Sequence, residues 1–287
     1  MSAAYAEVIL DAHVHYHSGF SRRAFFDAAM RNLWAGGRDL GLRGPAASGL
    51  MLTESRGIDV FGRFAEEATA QIDTDRAWRF RATDESNSLW AVPTTDSEVE
   101  MGGLLLVAGR QLVTREGLEV LALGCREVLA DGMELRQARD AVIEAGGVPV
   151  VPWGFGKWWF GRGRALAELI ERESPGRWFV GDNAGRPRLS MSPPLFARAA
   201  AHGVFVVPGS DPLPLAHQER KVGRCGFRMP AALDPQRPAA SILDWMRACD
   251  AQPETFGRYE GLAGFARDQA AMQLRKRGAP SATGARP

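Results

Sequence analysis

Short apolar runs of strand length recur along the chain at residues 8–10, 49–52, 104–107, 119–123, 148–151, 178–180 and 204–207, several of them bounded by Gly or Pro. Between many of them lie stretches with apolar residues at helical spacing, at 22–34, 60–72, 134–145, 165–172 and 194–202. Such alternation predicts parallel strands, because parallel neighbours need a long crossover and helices must cover the sheet faces. Seven or eight strands of this kind predict an α/β chain closed into a TIM-like (β/α)7–8 barrel, with its reactive groups in the loops after the strands. The pattern weakens over residues 73–99, which predict one strand and a long excursion, and again over the proline-bearing excursion 213–237.

Composition leaves this picture standing. The chain has 287 residues, 45% of them hydrophobic and 24% charged, enough to bury one large core spanning residues 1–275. Residues 276–287, rich in Gly, Ala, Pro and Arg, predict a frayed tail. A net charge of +1 from 35 basic and 34 acidic residues provides no global field toward nucleic acid or anionic membrane, so any anion must be bound locally. No run of 18 apolar residues occurs, and residues 1–7 lack the basic and then apolar regions of a signal peptide. With Cys125, Cys225 and Cys249 odd in number and widely spaced, the expectation is a cytoplasmic protein with reduced thiols.

Polar clusters follow the apolar runs. The segment Asp11-Ala12-His13-Val14-His15-Tyr16-His17 holds three of the five histidines. Residues two apart on a strand share a face, so His13 and His15 point together, either as hydrogen-bonded histidines or as ligands to a divalent transition metal. Asp211, in Gly209-Ser210-Asp211-Pro212, is either a turn-capping residue or a carboxylate that completes a site with those imidazoles.

The segment 152–164 brings Trp153, Lys157, Trp158, Trp159 and Arg162 together among glycines, a composition suited to stacking on a ligand and holding an anion, or to a hydrophobic plug. In 181–188, Asp182 is a candidate base or metal ligand, Arg186 a candidate for forking onto a carboxylate or phosphate, and Asn183 a candidate substrate contact.

With these residues in hand, the chain resembles the polymerase-and-histidinol-phosphatase (PHP) family of metal-dependent phosphoesterases, within the amidohydrolase-like barrels. The resemblance spans about residues 10–223 and rests on Asp-Ala-His-Val-His at 11–15, the segment 50–55, the run 117–124, the approach 145–151 and Gly209-Ser210-Asp211. It departs from the family where Glu54 and Ser55 stand for an Asp-His pair, Gln111 for a bridging glutamate, Leu118 and Pro152 for histidine ligands, and Leu213 for the histidine after Ser-Asp.

A three-metal centre needs bridging carboxylates and many imidazoles, so the remainder implies at most one divalent ion, zinc, manganese or iron, on His13, His15, Asp211 and Glu54. The function implied is a metal-assisted hydrolase of a small anionic ester or amide. Asp211 or Asp182 would accept the proton, and Lys157, Arg186 and Arg162 would hold the anion. Trp153 and Trp158 would pack on an apolar or sugar portion. The alternative is an inactive barrel that binds a sugar phosphate or a protein partner, and a further reading pairs Asp182 with Lys157 for metal-free acid–base chemistry.

Overall fold

The structure is a computed structural model, and it describes residues 5–43, 46–71, 77–94, 102–172, 178–188 and 192–278. Strand β1 (Val8–Val14) is buried at every position, as expected of a strand covered on both faces. It pairs in parallel with β2 (Ala47–Leu52), and β2 in parallel with β5 (Leu104–Val107). The parallel run ends there. β4 (Ser88–Pro93) lies antiparallel to β5, and β3 (Trp78–Ala82) antiparallel to β4. On the other flank β10 (Cys225–Met229) pairs antiparallel with β1, and β11 (Thr255–Gly257) with β10. The result is a seven-stranded mixed sheet in the order β11-β10-β1-β2-β5-β4-β3.

A second sheet of four strands has the order β6-β7-β8-β9, from Gly109–Val113, Glu119–Leu123, Val148–Pro152 and Phe179–Gly181. Its first three strands are antiparallel, and β8 and β9 are parallel. Isolated bridges join Glu54 to Arg110, Val180 to Val206 and Asn183 to Gly209 in place of continuous ladders.

The expected TIM-like barrel of PHP type is therefore corrected: the strands form two sheets that do not close into one. Apolar runs at 104–107 and 119–123 have no helix between them, and the chain returns from β6 to β7 as a hairpin, which only antiparallel strands allow. The run 204–207 contributes an isolated bridge, and residues 77–94 form the β3–β4 hairpin where a single strand was expected. The hydrolase and phosphoesterase assignment that rested on the barrel loses the support of the fold.

Helices α1 (Arg22–Asp39) and α2 (Val60–Ala70) cover the large sheet, and Phe25, Phe26, Leu33, Phe61 and Phe64 enter one core cluster. Burial of each such side chain contributes roughly 1.5–3 kcal/mol. Their starts are chemically marked: Ser21 Oγ accepts from the Ala24 amide at 3.4 Å and Asp59 from the Gly62 amide at 3.1 Å. α3 (Leu135–Glu144), α4 (Phe160–Arg172) and α5 (Pro194–Ala201) enclose a second cluster against the small sheet.

α6 (Pro238–Ala248) and α7 (Leu262–Gly278) follow, and α7 runs three residues into the expected tail. Residues 72–76, 95–99 and 279–287 of the expected segments lie outside the described residues. Among those described, no helix is long and apolar enough to cross a membrane. The three cysteines are unpaired.

Candidate metal centre

Asp11 organises the end of β1. Its fully buried carboxylate accepts the amides of His13 (3.1 Å), Ser210 (2.8 Å) and Gly223 (2.9 Å), drawing three distant segments together. Burial pushes its pKa up to about 6 against the pull of these donors. The β1–β2 register shifts between Asp11 and Val14, an irregularity that re-aims the side chains beyond it. Segment 208–211 runs alongside, with the Ala12 amide donating to Pro208 (3.3 Å) and the Asp211 amide to His13 (2.8 Å). Gly209 makes this approach possible, since a Cβ there would stand 2.3 Å from the His13 nitrogen.

His13, His15 and Asp211 meet at this junction, with one ligand atom from each within 4.8 Å of the others. The two Nε2 atoms are 3.0 Å apart, and Asp211 Oδ1 lies 3.5 Å from His13 and 3.7 Å from His15. Gln111 Oε1, from β6, stands 3.3 Å from His13 Nε2. These spacings bracket the edge of about 3.3 Å that two ligands make on a tetrahedral zinc with Zn–N bonds of ~2.0–2.1 Å.

The electrostatics suit a cation. Burial, then repulsion from His13, pulls the His15 pKa down to about 3, so its ring is neutral and its lone pair open to a metal at neutral pH. Burial works against charge on Asp211, yet His13, His15, Lys157 and His17 outweigh it and hold the carboxyl below its ordinary value. Asp211 has φ +45°, a left-handed conformation that Asp tolerates better than most residues and that marks many functional sites. Asn183 donates to Asp211 Oδ2 (3.1 Å) and to the Trp153 carbonyl (2.9 Å). His17 Nε2 donates to the Pro212 carbonyl at 2.9 Å, outside the cluster.

The other expected site residues are placed differently. Glu54, named as a metal ligand, is held away by the Phe61 amide (2.7 Å) and Arg110 (3.0 Å). Asp182 faces Arg186, which donates to its two oxygens at 2.8–3.2 Å, and it also accepts from Tyr259 at 2.9 Å. Both members of that pair are buried, and Arg186 stacks on Tyr259. Lys157 is ion-paired with Glu119, and Arg162 donates to the Gly156 carbonyl at 2.8 Å. Asp182 and Lys157 thus engage other groups, not each other. Trp158 is buried edge-on against Phe196, while Trp153 lines a cavity of about 220 Å³ with Lys157, Asn183 and Asp211.

No family model and no curated protein matches this chain. Among solved structures, it is similar to the crystal structure of PsfC from Pseudomonas syringae, with 15% identity, 94% of this chain and 98% of that chain covered, and a TM-score of 0.48.

Gln111 and Asp11 are the residues whose part in the site sequence reasoning missed, while Asn183, expected as a substrate contact, is bonded to Asp211 and to the Trp153 carbonyl. Gln111 had been noted only as a lost glutamate, although an amide oxygen is itself a hard donor. Asp11 was legible as the first residue of Asp-x-His, but two of its three amide partners, Ser210 and Gly223, come from segments some 200 residues away. Leu118 and Pro152 are buried, in keeping with positions that supply no ligand.

Proposed function

We propose that this protein is a one-metal enzyme that hydrolyses a small anionic ester or amide, with His13, His15, Asp211 and the Gln111 amide oxygen holding a zinc, manganese or iron ion. One observation carries the reading: four donor atoms from three separate segments converge at spacings of 3.0–3.7 Å. Two imidazoles, a carboxylate and an amide oxygen form a donor set of mixed hardness, suited to these ions. Such an ion, when bound, lowers the pKa of a water toward ~7 and polarises the bond to be cleaved.

The remaining chemistry belongs to the chain. Asp211 presents one oxygen to the imidazoles, while Asn183 fixes the other, so the carboxylate keeps one orientation through turnover. At 25% side-chain exposure it opens onto the cavity shared with Trp153 and Lys157, where an attacking water can reach it. The buried Asp182–Arg186 pair serves as scaffold beneath it.

Elemental analysis of protein purified without a histidine tag is the test. Wild type is expected to hold no more than one ion per chain, and His13→Ala with His15→Ala none. Stoichiometric metal in that double variant overturns the assignment. A screen of phosphate esters, carboxylic esters and cyclic amides with added zinc or manganese should reveal a hydrolysis whose kcat falls roughly 10²- to 10⁴-fold in Asp211→Asn. Metal-loaded protein that hydrolyses none of them, yet binds a ligand at micromolar affinity, makes the protein a binding module.

A further inference from the structure

The three cations expected to hold the substrate's charge already have acceptors: Lys157 has Glu119, Arg186 has Asp182 and Arg162 has the Gly156 carbonyl. The electropositive space is a separate one, bordered by His15. There a cavity of about 430 Å³ is bordered by His15, His17, Ser18, Ser55, Arg63 and Arg275. That volume is within the range of roughly 300–1,000 Å³ usual for small-molecule sites, and nearly twice that of the cavity at Trp153.

Its charge is one-sided. Among the described lining residues, Glu54 is the one carboxylate, and it is bound by Arg110 and the Phe61 amide. Arg63, on α2, has no ion pair or hydrogen bond among the described residues. Arg275, on α7, gives one donor to the Pro214 carbonyl and keeps its others. Guanidinium groups offer paired N–H donors that match the oxygens of phosphate or carboxylate.

We infer that this cavity is the anion subsite: Arg63 and Arg275 hold the phosphate or carboxylate of the substrate, which enters beside His15. The inference rests on the reading of His13, His15 and Asp211 as a metal centre, because that centre makes the cavity's ligand a substrate. Both arginines are exposed side chains on helices, so their replacement leaves the core intact.

Calorimetric titration of the full chain with inorganic phosphate and with acetate, zinc-loaded and metal-free, tests it. Arg63→Met and Arg275→Met should each weaken binding of at least one probe by about tenfold, the loss of one charge-assisted contact, while Lys157→Met stays within about twofold. Stronger response to phosphate or to acetate tells which oxyanion the site prefers. Unchanged affinity in both arginine variants, loss through Lys157→Met instead, or no binding of either probe to wild type overturns the inference. Zinc content measured on the same samples separates the two readings: arginine-dependent anion binding in protein that takes up no zinc refutes the metal centre and leaves the subsite standing.

Discussion

Asn183 donates to Asp211 at 3.1 Å and to the Trp153 carbonyl at 2.9 Å, so a single side-chain amide ties the carboxylate of the candidate metal centre to the end of β8. Asn183→Leu removes both bonds and frees Asp211 to rotate. Metal affinity should fall by about 10- to 100-fold, the usual cost of losing a group that orients a ligand. Competition against a chelator measures it, and circular dichroism checks that the fold persists. Unchanged affinity would show that Asp211 is oriented by its left-handed backbone alone.

Gly209 meets the backbone of His13 too closely for any Cβ. Gly209→Ala should force the Asp211 segment away from β1, lowering stability by about 1–3 kcal/mol as overpacking does and lowering metal uptake with it. Urea denaturation and metal analysis of the same sample report the two effects. Full metal occupancy in this variant would mean that the ligands tolerate separation.

The Asp182–Arg186 pair is buried, and Arg186→Met strands its carboxylate with Tyr259 and the Asn183 amide. Loss of one partner should cost about 3–5 kcal/mol of stability, with metal stoichiometry preserved, because neither group belongs to the ligand cluster. Denaturant unfolding gives the first quantity. A variant of native stability that has lost its metal would reverse the roles assigned to Asp182 and Asp211.

In metal-free protein, His15 sits at about 3 instead of 6.5. The unfolded chain therefore takes up this proton first, and stability drains away as pH falls from 6.5 toward 3, by at most about 1.4 kcal/mol per pH unit. Asp11, at about 6 instead of 3.8, acts in the opposite sense, since the folded state takes up its proton between pH 6 and 4. The difference in unfolding free energy between wild type and His15→Asn should shrink steadily from pH 7 to pH 4 in the presence of a chelator. A constant difference would mean that His15 titrates as an ordinary histidine.

Much of the local structure was legible. Residues 60–72 carry an amphipathic pattern after Asp59, and α2 runs Val60–Ala70 with Asp59 as its cap. The strands at 104–107 and 119–123 match β5 and β7 to the residue. His13, His15 and Asp211 were legible as well, because their residue types and their places after apolar runs announce chemistry, and the structure brings these three together.

Pairing was not legible. Periodicity reports which face of a strand is buried, not which strand lies beside it, and short apolar runs look alike in parallel and antiparallel sheets. The barrel failed on that point: β6 returns to β7 as an antiparallel hairpin, and β10 closes on β1 from the far end of the chain. The same limit governs the charges. Sequence places Lys157, Arg186, Asp182 and Glu54 at strand ends, where each looks available, but only the folded chain sets Lys157 against Glu119, Arg186 against Asp182 and Glu54 against Arg110. The elements and the types of reactive group follow from local sequence because helix and strand periods are local. Sheet order, and which charge faces a partner and which a cavity, follow from contacts between residues far apart in the chain, which tertiary packing alone decides.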